Sequence, residues 1–309
     1  MCVRPFSKPF ALANPKSRCG RRASRRSSER YCSACATRSG TFGSRAWRRR
    51  VAFELYLEQV LQALERLRRD QHASIGAAAS LVATALASEG VLHVFGSGHS
   101  RLLAEEAFYR AGGLAAVNPI LDRRLMFFDG VLASTNAERE EGYAARILAR
   151  EDIRAVDAAI VASNSGRNAV PVEMALGLRA RGVKVIAVTS LTHSRAVAAR
   201  HASGRKLYEL VDVVIDTGVP TGDAATKLPD RALRMGPLST IIGAAIVHAV
   251  TIEASVLLLQ QGHLPPVLAS ANLDATSPDD LRRTLARYAG RIRYLDVERP
   301  RAAEGSPAG

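Results

Sequence analysis

Ala159-Ile160-Val161-Ala162-Ser163-Asn164-Ser165-Gly166-Arg167-Asn168 is the stretch that decides the fold. An apolar run stops at a cluster of hydroxyl, amide and glycine groups. A helical pattern follows, with Val170, Met174, Leu176 and Leu178 among its apolar positions. That order predicts a buried strand, a tight polar loop and a helix N-terminus. Such a loop offers free backbone N–H groups and the positive end of a helix dipole to an anion. Ser163 and Ser165 add hydroxyls, Asn164 and Asn168 add amides, and Arg167 adds a cation. Gly166 permits a turn that a side chain would obstruct. The arrangement suits a phosphate monoester. It lacks the Lys of a P-loop, which argues against a nucleoside triphosphate.

Outward from this loop, apolar runs alternate with helical patterns. Val91–Phe95, Ala115–Ile120, Asp157–Ala162, Val183–Thr189 and Leu210–Asp216 read as five strands. Helices are predicted over about 53–67, 72–87, 100–110, 125–133, 140–150, 168–181, 195–202 and 237–261, and a short one near 278–288. In the first, Phe53, Leu57, Leu61, Leu64 and Leu67 fall three or four apart on one face. Strands alternating with helices imply a parallel sheet between two helical layers, an α/β three-layer sandwich of the flavodoxin-like, doubly wound kind. Ligands then bind beyond the carboxyl ends of the strands, where the loops after strands one, three and four converge.

Composition divides the chain. Residues 1–50 hold 14 Lys and Arg against one Glu, whereas the remaining residues hold 29 against 28. The net charge of +14 therefore belongs almost wholly to the leader. The body carries no domain-wide basic footprint for nucleic acid. Low hydrophobicity with high charge makes 1–50 a disordered basic leader, read as an extension outside the working protein. Segment 51–90 supplies N-terminal helices, 91–265 the main domain and 266–309 an extension with a polar tail. Cys2, Cys19, Cys32 and Cys35 all lie in the leader. A body without cysteine suits a reducing cytoplasm. No stretch reaches the roughly 18 uninterrupted apolar residues of a membrane span, so no membrane partner is expected. The segment Leu238–Leu259 reads as a buried helix, apolar nearly all round, that a single domain does not cover.

The loop after the first strand, Gly96-Ser97-Gly98-His99-Ser100, is half a dinucleotide fingerprint. Leu102 and Leu103 stand where a third glycine would be, and Asn118 stands where an acidic residue would close the second strand. A nicotinamide cofactor is therefore not expected. No His, Asp or Glu cluster has metal-ligand spacing, so neither cofactor nor metal is expected. For acid–base work the available groups are His99, Glu105, Glu106, His193 and His248. Each has a plainer reading: Glu105 or Glu106 as a salt-bridge partner of Arg101, and His248 as a core histidine.

Together, Gly-x-Gly-x-Ser after strand one, Ser163-x-Ser165-Gly166 after strand three and Thr189 with Ser194 after strand four resemble the SIS (sugar isomerase) domain. The similarity covers about residues 55–265. The stretches Phe108-Tyr109-Arg110-Ala111-Gly112-Gly113, Val117-Asn118-Pro119-Ile120 and Ser270-Ala271-Asn272 further resemble an uncharacterised bacterial group of SIS proteins. The resemblance implies a five-stranded parallel sheet, a homodimer or homotetramer, and a phosphosugar ligand. It implies that Ser163, Ser165 and Asn168 hold the phosphate, and that Gly96, Ser97, Gly98 and Ser100 meet the sugar. Thr189, Ser190, His193 and Ser194 would line the pocket. The catalytic Glu of the phosphoheptose isomerases and N-acetylmuramic acid 6-phosphate etherases falls at Arg110 here. Glu105 or Glu106 would then supply a base and His99 an acid. The functional expectation is a sugar-phosphate isomerase or lyase; the alternative is a non-catalytic phosphosugar sensor.

Overall fold

A computed structural model of the chain describes residues 52–228, 232–270, 272 and 277–295. The basic leader and the polar tail beyond 295 lie outside the described residues. The helices are α1 (Ala52–Asp70), α2 (His72–Ala87), α3 (Leu102–Ala107), α4 (Val131–Arg139), α5 (Tyr143–Leu148), α6 (Ala169–Arg179), α7 (Leu191–Ala196), α8 (Ser239–Gln260) and α9 (Pro278–Ala286). Strands β1 (Leu92–Gly96), β2 (Val117–Ile120), β3 (Ala158–Ala162), β4 (Lys184–Thr189) and β5 (Val213–Asp216) form one sheet in the order β2-β1-β3-β4-β5. Every pairing is parallel. The chain steps outward from β1 to β2, then returns to add β3 on the other side of β1. The switch point therefore lies between β1 and β3, the crevice where doubly wound sheets take their ligands.

Strands buried on both faces read as unbroken apolar runs rather than alternating ones, and β1 and β3 are buried at every residue. One apolar cluster joins Val94, Ile160 and Val188 to α2, α3 and α8. A second joins Phe95, Val161 and Ala187 to α5 and α6. The extension after 266 belongs to the first, through Leu285, Tyr288, Ile292 and Leu295.

Several helical expectations are corrected. The helix expected to reach Arg110 ends at Ala107, because Phe108 turns extended at φ −88 and ψ 137. The segment expected as one helix over 125–133 is two single 3-10 turns, with α4 starting only at Val131. The helix after β4 begins at Leu191, not near Arg195. Ser190 caps it by accepting the His193 N–H at 3.0 Å, and Ala196 ends it. The glycine-rich loop through Gly218 and Gly222 leads into a two-stranded hairpin, β6 (Ala224–Lys227) and β7 (Arg234–Pro237). By length and composition α8 is apolar enough to cross a membrane, with a mean hydropathy of 2.0, which the sequence reading did not anticipate. In this fold it packs against α2 and α3 and turns Ile242, Ile246, Val250 and Leu258 inward.

Candidate functional site

The loop after β3 is shaped by its first serine. Ser163 is buried, and its Oγ accepts the Gly166 N–H at 3.2 Å. That contact folds the loop back before α6 begins. Gly166 sits at φ +57, and an added Cβ would lie 3.0 Å from Cβ of Leu207. Both facts require glycine. The loop is held from outside by the segment after α7. Leu207 N–H donates to the Gly166 carbonyl at 2.9 Å, Arg200 N–H to the Arg167 carbonyl at 2.9 Å, and the Arg200 guanidinium to Asn168 Oδ1 at 3.1 Å. Burial, together with the nearby Arg167 and Arg139, holds the Arg200 guanidinium below its ordinary pKa. Arg167 and Arg200 thus stand beside the α6 N-terminus, where the first N–H groups have no acceptor inside the helix. The electrostatics are those of an anion site.

The loop after β1 is equally constrained. A Cβ on Gly96 would lie 2.3 Å from the Ser100 backbone, and Gly98 sits at φ +53. The 3-10 turn Gly98–Arg101 then exposes His99, whose ring lies 5.1 Å from that of Phe127. Ser97 Oγ donates to Glu138 Oε1 at 2.8 Å. This brings a carboxylate from α4 to the switch point, a residue that sequence reasoning missed. Its partner is 41 positions away, and no local signal marks it.

The cleft between these loops is lined by His99, Ser100, Leu103 and Asn164. Thr217, after β5, and Ser239 and Thr240, at the start of α8, complete it. These three were also missed. Asp223 fixes the start of α8, accepting the Leu238 and Ser239 N–H groups at 3.0 and 2.9 Å and the Ser239 hydroxyl at 2.5 Å. Asn164 stands 3.4 Å from His193 Nδ1, and its Oδ1 is buried without a partner. Burial is the leading cause that lowers the His193 pKa, and Arg167 adds to it.

Other expected site residues are placed differently. Thr189, Ser190 and Ser194 are fully buried. The Thr189 hydroxyl donates to the Asn164 carbonyl at 3.3 Å and that of Ser190 to the Val219 carbonyl at 2.6 Å. The Ser194 carbonyl accepts from Lys206 at 2.6 Å. The Thr189 and Ser190 hydroxyls brace the loops from behind, the Ser194 hydroxyl is buried without a partner, and none of the three lines the cleft. Glu105 is an exposed partner of Arg101 at 2.8 Å. Glu106 faces α8, bonded to Arg110 and, at 3.0 Å, to His248. His248 leads the causes that keep the Glu106 pKa low. Neither carboxylate lines the cleft. His248 is half-exposed, not a core histidine.

A doubly wound sheet, a Ser-x-Ser-Gly loop at a helix N-terminus and a Gly-x-Gly-x-Ser loop beside it define the class: the model of the SIS domain matches residues 55–190. More particularly, the chain belongs to the UPF0309 family. It is 39% identical over 240 residues to the UPF0309 protein of Geobacillus thermodenitrificans, covering 78% of this chain and 96% of that one. To the UPF0309 protein of Listeria innocua it is 41% identical over 243 residues, covering 78% and 98%. Among solved structures it is similar to the phosphoheptose isomerase GmhA from Neisseria gonorrhoeae, with 18% identity, 66% of this chain and 97% of that one covered, and a TM-score of 0.43. It is also similar to the Vibrio vulnificus NanR protein complexed with ManNAc-6P, with 15% identity, 79% and 69% covered, and a TM-score of 0.38.

Proposed function

We propose that the cleft over β1 and β3 binds a sugar phosphate, with the phosphate on the loop from Ser163 to Asn168. The observation that carries this reading is the left-handed Gly166, folded against Ser163 Oγ at the start of α6, with Arg167 and Arg200 alongside. Membership of a family with an SIS domain supports it. The sugar then lies toward Ser100, Asn164 and Thr240. The absence of cysteine from residues 51–309 supports a cytoplasmic setting.

The finer reading is a sugar-phosphate isomerase or lyase. Moving a proton between adjacent sugar carbons needs a base at the carbon and an acid at the ring oxygen. His99 lines the cleft, and Glu138, bonded to Ser97 in the loop after β1, is the carboxylate we assign to this pair. Glu138 thus takes the role first expected of Glu105 or Glu106, both of which are neutralised by arginine. No group of three or more metal-binding side chains is placed together among the described residues, and this chemistry does not call for one. That neutralisation favours the second reading, a non-catalytic phosphosugar sensor.

Calorimetry against fructose 6-phosphate, sedoheptulose 7-phosphate, N-acetylmannosamine 6-phosphate and their dephosphorylated forms tests binding. Tight binding that is lost with the phosphate is expected; equal affinity for both forms overturns the site. Deuterium uptake at the sugar carbon in heavy water separates the two readings. Exchange supports the enzyme, and binding without exchange or product supports the sensor.

A further inference from the structure

Asn164 belongs to two features at once: it stands in the loop that follows β3, and it lines the cleft. Its Nδ2 lies 3.4 Å from His193 Nδ1, while its Oδ1 is buried with no partner among the described residues. Burial, with Arg167 adding to it and Asp223 opposing, holds His193 below its ordinary pKa. The ring is therefore neutral at neutral pH, and an unprotonated Nδ1 accepts from the Asn164 amide. That contact fixes the amide and leaves its oxygen over. A buried acceptor without a donor is costly, and a donor that arrives with a ligand removes the cost. The phosphate is no candidate for that donor, because its own oxygens accept. The sugar is.

Ser239, also in the cleft, has the same polarity. It gives its hydroxyl hydrogen to Asp223 Oδ2, so toward the cleft its oxygen only accepts. Ser100, Thr217 and Thr240 add hydroxyls that can adapt to a ligand; that of Thr217 accepts the Val219 N–H at 3.4 Å and keeps its hydrogen. Among the described residues no Asp, Glu, Lys or Arg side chain lines the cleft. A carboxylate brought in there would find no cation and would meet acceptors at Asn164 and Ser239. Burying a charge under those conditions is strongly unfavourable.

Resting on the sugar-phosphate reading above, we propose that Asn164 Oδ1 accepts a hydrogen bond from a sugar hydroxyl near the phosphate, and that the cleft selects its ligand by the donors the sugar carries. Asn164 is thus a specificity-determining residue and not a phosphate ligand through its side chain. Its place one position before Ser165 sets the hydroxyl toward the phosphorylated end of the sugar. The ligand class is a neutral, hydroxyl-bearing sugar or polyol phosphate. Phosphorylated sugar acids are excluded. A site built around a fixed acceptor discriminates against analogues that cannot donate to it, since the acceptor is then left unpaired. His193 acts through Asn164, by holding the amide in the orientation that presents oxygen.

Calorimetry of the full chain with inorganic phosphate, glucitol 6-phosphate and 6-phosphogluconate tests this. Glucitol 6-phosphate carries a hydroxyl on every carbon but the phosphorylated one, so a donor faces Asn164 whichever carbon lies there. Wild type is expected to bind it about tenfold or more tightly than 6-phosphogluconate, which has a carboxylate at the far end. Asn164→Leu is expected to weaken glucitol 6-phosphate by about tenfold or more and to leave inorganic phosphate unchanged. Circular dichroism melts confirm that the variant is folded. Asn164→Asp keeps an acceptor, and its charge weakens both phosphates alike, so the ratio of their affinities is expected to stay at the wild-type value. A ratio that Asn164→Leu leaves unchanged overturns the proposal. So does a ratio that Asn164→Asp lowers as far as Asn164→Leu does, because the amide then presents Nδ2. So does 6-phosphogluconate bound as tightly as glucitol 6-phosphate. Each of these outcomes leaves phosphate binding, and with it the sugar-phosphate site, in place. A wild type that binds none of the three overturns that site and this inference together.

Discussion

The Arg291 guanidinium lies 2.9 and 2.8 Å from the two carboxylate oxygens of Asp157. The two are 134 positions apart, and the Asp157 side chain is fully buried. Asp157 stands just before β3. Its oxygens also accept the Val91 N–H at 3.0 Å, the Arg154 N–H at 2.7 Å and His93 Nε2 at 3.0 Å. Asn118 holds the other ring nitrogen of His93 at 3.0 Å and donates to Glu151, also at 3.0 Å. The pair thus ties the C-terminal extension to β1, β2 and β3 at the end of the sheet opposite the cleft.

Without Arg291, Asp157 keeps its bonds from His93, Val91 and Arg154, so the loss is that of a hydrogen bond to a charged group, about 1.5–3 kcal/mol. Arg291→Met is therefore expected to lower stability by that order, read as a fall in the denaturation midpoint. The sugar phosphate affinity should stay unchanged, because the pair is remote from the cleft.

Burial alone would raise the Asp157 pKa, but His93, the two backbone N–H groups and Arg291 outweigh it and bring it down to about 2. A carboxylate depressed on folding stabilises the native state above its unfolded pKa and loses that contribution as pH falls through its folded one. Stability worth about 2–3 kcal/mol is thus expected to disappear between roughly pH 4 and pH 2. Chemical denaturation across that range checks it, and Asp157→Asn should flatten the slope there.

Gly98 and Gly166 are both left-handed but differ in their surroundings. A Cβ on Gly98 meets only the Phe127 ring, 3.9 Å away, whereas one on Gly166 meets Leu207 at 3.0 Å. Gly98→Ala is expected to cost only the backbone strain, about 1–2 kcal/mol. Gly166→Ala should cost more and should also reduce affinity for a sugar phosphate. Melting curves and calorimetry on both variants read the difference.

The two loop serines should separate. Ser163 is buried and bonded to Gly166 N–H, whereas Ser165 is half-exposed. Ser165→Ala is expected to weaken a phosphorylated sugar alone, by about tenfold or more for a charge-assisted bond of ~1.5–3 kcal/mol. Ser163→Ala should lower both affinity and melting temperature. Equal losses with the unphosphorylated sugar would place the phosphate elsewhere.

If the protein turns over a sugar phosphate, Glu138→Gln should reduce turnover by about 10²–10⁴. Glu105→Gln, which loses only its surface pairing with Arg101, should leave turnover within about twofold. Full activity in Glu138→Gln would remove that residue from the chemistry.

The sequence by itself determined what depends on neighbours along the chain. The five strands, the parallel sheet and the Ser163–Asn168 loop before α6 all follow from apolar runs, helical spacing and glycine. Short elements were less legible. The helix beginning at Leu191 is under two turns long, too short for periodicity, and is set by the Ser190 cap. Apolar spacing set Phe53, Leu57, Leu61, Leu64 and Leu67 on one face of α1, and the domain takes only Leu64 and Leu67 of these. Tyr56, Val60, Ala63 and Leu67 are as apolar in pattern as Phe53, Leu57 and Leu61, and only packing on the domain chooses between them. Glu138 reaches Ser97, Glu106 reaches His248 and Asp157 reaches Arg291 across 41, 142 and 134 residues. Each of these acids looks the same in sequence as any surface carboxylate. Its role is set by which partner the folded sheet and helices bring within hydrogen-bonding distance, and that is a property of the tertiary structure alone.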